Sequence, residues 1–203
     1  LMENKERVEV LKGASALYYG FTAPSGIVNY VTKRPARTPL TSVSFGVDTH
    51  GTALVSTDIS RRFGDQQQYG LRVNAGGGVL GSYLRGADEG RRHFAAAAFD
   101  WKVSPRLRIH ADLEYDRRRV TEQAGIAMPA AVAGVIPLPR PVDPRAMVGP
   151  SLSLFETEQL NALVRADYAI ADDWVLTLEG GRARTERDRN LPIFRFNNSA
   201  AVL

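Results

Sequence analysis

The chain has 203 residues, 44% of them hydrophobic and 24% charged, with a formal net charge of +4 and a pI near 9.6. This is the composition of a structured protein, and the absence of cysteine excludes disulfides and thiolate metal sites. No apolar run reaches the roughly eighteen residues of a transmembrane helix, so only β-strands could cross a membrane. Basic residues are dispersed among acidic ones and form no helical stripe, which argues against a nucleic-acid partner.

In chain order, residues 1–4 (LMEN) lack both the basic and the apolar region of a signal peptide. Residues 7–35 then read RVEVLKGASALYYGFTAPSGIVNYVTKRP. Val8, Val10 and Leu11 interleave with Arg7, Glu9 and Lys12 as a short strand that stops at Gly13. Residues 15–19 are too few for a stable helix and predict a single turn. Pro24, Ser25 and Gly26 predict a tight turn. Ile27, Val28, Tyr30 and Val31 give a second strand, which Pro35 ends because it cannot donate to a ladder.

Residues 36–39 read as a linker, and alternation begins at Leu40. Ala53, Val55, Thr57 and Ile59 oppose Ser56, Asp58 and Ser60. Tyr69, Leu71, Val73 and Ala75 oppose Arg72 and Asn74, and Phe99, Trp101 and Val103 oppose Asp100 and Lys102. The clearest two-residue period sets Leu107, Ile109, Ala111, Leu113 and Tyr115 against Arg108, His110, Asp112, Glu114 and Asp116. Leu160, Ala162, Val164, Ala166 and Tyr168 oppose Asn161, Arg165 and Asp167, and Trp174, Leu176 and Leu178 oppose Thr177 and Glu179. Alternation alone fits a membrane barrel and a soluble antiparallel sheet about equally. Connection lengths favour the barrel. Turns at residues 64–66, 104–105 and 171–173 are short, whereas 80–91, about 120–157 and the tail from Arg187 are long and fall at the opposite end, the connection near 49–51 being the exception. Phe63, Tyr69, Trp101, Tyr168 and Trp174 lie beside the short turns, as an interfacial aromatic ring would.

The segment from Arg7 to Pro35 resembles the end of the plug domain of TonB-dependent outer-membrane receptors, in the ferric-siderophore branch. The likeness rests on Arg7-Val8-Glu9-Val10-Leu11-Lys12-Gly13, on Ser15-Ala16-Leu17-Tyr18 before Gly20, and on Gly26-Ile27-Val28-Asn29-Tyr30-Val31-Thr32-Lys33-Arg34-Pro35. Ala14 stands where proline is commoner, and Tyr19 is an extra residue. The resemblance implies an all-β chain: the C-terminal part of a plug over residues 1–35, a linker over 36–39, and the first strands of a transmembrane antiparallel β-barrel over 40–203. It implies a barrel of about twenty-two strands, with a signal peptide, a TonB-binding segment and most of the plug preceding Leu1. Function follows as energised uptake of ferric siderophores by a monomeric barrel in outer-membrane lipid, with a vitamin, a carbohydrate or a soluble binding module as alternatives. The ferric chelate is cargo, and no cofactor is expected. Such a chain on its own is expected to aggregate through its open sheet edges.

Site expectations are of two kinds. Arg7, Glu9, Lys33 and Arg34 are expected to pair with inward charges of the barrel and hold the plug. Tyr18, Tyr19 and Phe21 are candidate ligand contacts, with packing against the wall as the plainer reading. Arg108, Asp112, Glu114, Asp116, Arg117, Arg118 and Arg119 read as a solvated lumen wall whose arginines could attract an anionic chelate or lipid phosphate. No catalytic constellation is visible, and His50, His93 and His110 lack metal-ligand spacing. Gly76-Gly77-Gly78 lies in a strand pattern with no helix after it, so it predicts a bend or a close approach to the plug rather than a phosphate cradle.

Overall fold

A computed structural model of the chain describes residues 1–13, 25–127, 131, 134–136, 143–149 and 153–194. Among these every regular element is a strand: β1 (Lys5–Lys12), β2 (Gly26–Thr32), β3 (Leu40–Val47), β4 (Ala53–Phe63), β5 (Tyr69–Leu80), β6 (Gly90–Lys102), β7 (Leu107–Thr121), β8 (Gly125–Ile126), β9 (Leu154–Ala171), β10 (Trp174–Arg189) and β11 (Ile193–Phe194). β1 and β2 form an antiparallel hairpin. β3 to β7, β9 and β10 form one seven-stranded antiparallel meander, in the order β10-β9-β7-β6-β5-β4-β3. A short parallel pairing of β8 with β11, which alternation did not signal, ties the long connection to the residues after β10.

Pairing runs without a register shift from β3 through β9. With a side-chain period of two, unbroken register lines residues up in rows of one chemistry across the whole sheet. On the hairpin side, one row is Gly70, Asp100, His110, Arg165 and Glu179. Another on that side is Asn74, Ala96, Glu114, Asn161 and Ala183. The outer face carries Ile59, Leu113, Val164 and Leu178, all exposed, and Phe45 is 83% exposed on β3. At the short-turn end Phe63 stacks on Tyr69 at 5.4 Å and Trp101 lies 5.9 Å from the same ring. A sheet whose apolar face looks outward and whose charged face looks inward is the pattern of a lipid-facing wall.

Hydrophobic residues buried among the described ones are few: Leu84, Phe94, Ala96, Ala98 and Ala124. The hairpin therefore meets the sheet across polar rows, not across an oily core. β6 differs most from what alternation suggests. Its Ala95–Ala98 run has no visible period, yet it continues β6 from Gly90 to Lys102, and its small side chains leave room on the inner face. β7 and β9 also run past the expected loop limits, through Thr121 and from Leu154. Charged residues on the outer face there break the apolar alternation. Arg117 and Arg119 belong to that face: Arg117 Nε donates to Glu156 Oε1 at 2.8 Å, so these two are not part of the lumen wall.

The glycine run of β5 is a close-approach site, but its neighbour is the sheet itself rather than the hairpin. A Cβ on Gly76 would lie 2.8 Å from the Phe94 ring, which is held by Arg92 stacked 4.9 Å above it. Gly76→Val is expected to overpack this point and destabilise the sheet by about 1–3 kcal/mol, read as a lower temperature of heat-modified migration for the full-length protein.

A charged seam between hairpin and sheet

β2 ends where Lys33 leaves the ladder, its N–H donating to the Asn4 carbonyl at 2.8 Å. The chain then turns along the sheet, with Pro35 buried and Ala36 N–H donating to the fully buried Ser60 hydroxyl at 2.8 Å. Arg34 is thereby aimed into the inner face. Its Nη1 donates to both oxygens of Asp112 at 2.7 and 2.8 Å. Its Nε donates to Asp100 at 3.1 Å, and its Nη2 donates to the Phe99 carbonyl at 2.9 Å and also to Asp100. Asp100 is shared further: His110 Nδ1 lies 2.8 Å from it and Arg62 donates to it at 3.3 Å. The planar guanidinium suits this role, because one rigid fork can satisfy two carboxylates and a carbonyl together.

Lys33 lies one residue earlier and reaches Asp58 at 2.9 Å. Asp58 also accepts two hydrogen bonds from Arg72, at 2.8 and 2.7 Å. Arg72 in turn donates to the Arg34 carbonyl at 3.0 Å, and Arg62 donates to the Pro35 carbonyl at 3.0 Å. Backbone and side chains of residues 33–36 are thus held by β4, β5, β6 and β7 at once. A second cluster forms at the start of the chain. Lys5 pairs with Glu114, Asn4 Nδ2 donates to the same oxygen at 2.7 Å, and Arg92 bridges Glu3 at 2.7 Å and Asp116 at 2.9 Å.

Lys33 and Arg34 lie in the seam, whereas Arg7 and Glu9 do not reach the sheet. Arg7 Nε donates to Glu9 at 2.7 Å, and Asn29 donates to Glu9 at 2.9 Å across the hairpin. The cause is a register irregularity between Lys5 and Arg7, which breaks the alternation and re-aims the side chains. Lys5 meets the wall; Arg7 and Glu9 face away. Sequence reasoning missed Glu3, Asn4 and Lys5, which lie ahead of the recognisable motif and carry no period of their own. Tyr18, Tyr19 and Phe21 lie outside the described residues.

Removing one partner from such a seam leaves the others charged and unpaired. Without Arg34, Asp100 and Asp112 would face each other with their main counter-ion gone. Arg34→Gln is expected to lower stability by on the order of 3 kcal/mol and to admit large hydrophilic antibiotics, measured as killing of cells that carry the full-length protein. Burial alone would push the Glu3 carboxyl up, but the Arg92 hydrogen bond and charge, with backbone N–H donors, hold it below its ordinary value of 4.5. A depressed folded value means stabilisation that is fully present above the unfolded value and is lost as pH falls through the folded one. Amide protection at residues 3–5, corrected for intrinsic exchange, is therefore expected to fall on acidification below about pH 4, with Glu3→Gln flattening the response.

No family model matches the chain. In sequence it is 27% identical over 205 residues to the ferrichrome receptor FcuA of Yersinia enterocolitica, covering 98% of this chain and 26% of that one. It is 31% identical over 97 residues, 48% of this chain and 13% of the relative, to the ferrichrome outer membrane transporter/phage receptor of Escherichia coli K12. In fold it matches the ferric preacinetobactin receptor BauA of Acinetobacter baumannii with a TM-score of 0.79 at 24% identity, over 93% of this chain and 28% of that one. It matches the ferric-catecholate import receptor Fiu of E. coli with the same TM-score of 0.79 at 22% identity, over 93% and 30% of the two chains. The chain thus spans about a quarter of the length of FcuA. In sequence along nearly all its length the chain is similar to a ferrichrome receptor, and in fold over most of it to receptors for ferric siderophores.

Proposed function

We propose that the chain forms the plug-to-barrel junction of an outer-membrane receptor for energised, TonB-dependent uptake of ferric siderophores. On this reading residues 1–35 are the end of the plug, 36–39 the linker, and 40–203 the opening strands of the wall. The observation that carries the reading is the seam. A hairpin is held inside a lipid-facing sheet by ion pairs and hydrogen bonds, with hardly any apolar contact.

The chemistry suits a closure that must open and reseal. Apolar packing in water resists separation in proportion to the area exposed. Ion pairs and hydrogen bonds can be exchanged for water group by group, each worth about 1.5–3 kcal/mol where a charged group takes part. A pull on the plug can therefore loosen residues 3–5 and 33–36 in turn, and entering water solvates each freed carboxylate and guanidinium. The outer face stays anchored in lipid throughout. The TonB complex would act through a segment outside this chain, and the ferric chelate is cargo rather than a resident cofactor.

The receptor reading is tested in outer membranes of cells carrying the full gene, by radioiron uptake from a panel of ferric chelates with and without TonB. Uptake that disappears without TonB is the expected result. A receptor that stays heat-modifiable yet moves no iron chelate in energised cells would keep the architecture and shift the cargo to another nutrient.

A further inference from the structure

His110 lies on the inner face near the start of β7, close to the short turn that precedes Leu107. One cross-strand row there runs Arg62, Gly70, Asp100, His110, Arg165 and Glu179. Imidazole is the side chain whose charge changes between about pH 5 and 8. The row therefore has fixed charges at Arg62, Asp100, Arg165 and Glu179 and one position of variable charge, beside the cation that holds the hairpin.

Arg34 and His110 share one oxygen. His110 Nδ1 lies 2.8 Å from Asp100 Oδ1, the atom that also accepts from Arg34 Nε at 3.1 Å and from Arg34 Nη2. Arg34 Nη2 is itself 3.3 Å from His110 Nδ1. A carboxylate oxygen only accepts, so the shorter contact assigns the proton of a neutral ring to Nδ1 and leaves Nε2 basic. That nitrogen faces Asp167 Oδ2 on β9 at 3.8 Å. An arriving proton therefore lands on Nε2 and makes the ring a cation beside the Arg34 guanidinium.

The charges around the ring are already matched. Asp100 on β6 pairs with Arg34 and with Arg62 of β4, and Asp112 on β7 pairs with Arg34. Asp167 pairs with Arg165, both on β9, and accepts from Thr177 of β10 at 2.7 Å. On β5 the row holds only Gly70. Beyond this set lie Glu179 on β10 and, one row nearer the turns, Arg108 and its cross-strand neighbour Lys102, which add more positive than negative charge. A charged imidazole is thus one cation too many. Arg62 and Arg165 are fixed in the wall by register, whereas Arg34 travels with the hairpin and can leave.

We propose that His110 is a proton-sensitive latch: neutral, it lets Arg34 hold Asp100, and protonated, it takes over that carboxylate and weakens the grip of Arg34. The inference rests on the receptor reading above, under which the short turns face the periplasm and His110 responds to periplasmic acidity. Arg34 keeps Asp112 and the Phe99 carbonyl, so acid loosens residues 33–36 without detaching them. A proton that the closed seam takes up only by giving up a contact shifts the balance toward the open seam as pH falls.

The test is hydrogen exchange of the full-length protein in detergent from about pH 8 to about pH 5.5, corrected for intrinsic exchange. Amide protection at Lys33, Arg34 and Ala36 is expected to fall by about tenfold across this range, above the window in which Glu3 responds. His110→Asn and His110→Gln carry neutral amides that reach the Nδ1 and Nε2 positions respectively. Either variant, once heat-modified migration shows it folded, is expected to keep its high-pH protection throughout. Unchanged protection in the unaltered protein overturns the inference. Protection that rises on acidification also overturns it, since the imidazolium would then be reinforcing the seam. A response that persists in the amide variants overturns it by assigning the effect to other groups. Radioiron uptake separates the latch from the receptor reading. A response abolished by the variants in a protein that moves no iron chelate sinks that reading alone, whereas TonB-dependent uptake with a flat exchange profile sinks only the latch.

Discussion

Arg34 is the contact on which the arrangement depends. One guanidinium joins Asp100, Asp112 and the Phe99 carbonyl, and its own carbonyl accepts from Arg72. Its partners belong to two adjacent strands, so their positions follow from the β6–β7 register. Asp100 opposes His110 in that register, and Asp112 opposes Ala98. A one-residue slip between the two strands would leave only one of the two carboxylates on the inner face. Unbroken pairing from β3 to β9 is therefore a condition for the seam as much as a feature of the fold.

The two faces of the sheet meet different solvents, and the sequence reflects that difference. Exposed Val43, Phe45, Ile59, Leu113, Val164 and Leu178 would be a liability in water, where a contiguous apolar surface drives association. Against lipid they are the ordinary surface. The inner face has the opposite problem, since carboxylates partly withdrawn from water need counter-charges. Lys5, Lys33, Arg34, Arg62, Arg72 and Arg92 supply them. Three of these cations come from residues 5–34 and three from the sheet, so hairpin and wall neutralise each other.

The small side chains serve the same geometry. Ala96 and Ala98 lie in the rows of Glu114 and Asp112, and Gly70 beside Asp100 meets Pro35 so closely that a Cβ there would be 2.7 Å from the proline ring. Bulk at these points would lift the hairpin away from the carboxylates that hold it. Polar reach and apolar smallness alternate along the inner face for that reason.

Much of this was legible in the sequence. Strand β7 declares itself, because apolar and ionisable residues alternate from Leu107 to Asp116, and lipid on one side with water on the other demands that pattern. The motif from Arg7 to Pro35 marked the hairpin, and Lys33 and Arg34 were singled out as cations at its exit. Sequence could not name their partners. Asp100 and Asp112 lie 66 and 78 residues away from Arg34, and only sheet register brings them together. Nor could it separate Lys5 from Arg7 and Glu9, which share one parity until a local irregularity in β1 sends them to different faces. The alanine run of β6 was silent because alanine suits either face and has no period to read. The sequence by itself determined which segments become strands and which face is oily, since both follow from local side-chain alternation. The tertiary structure alone decided which charges meet, since pairing depends on register and on the approach of a distant hairpin.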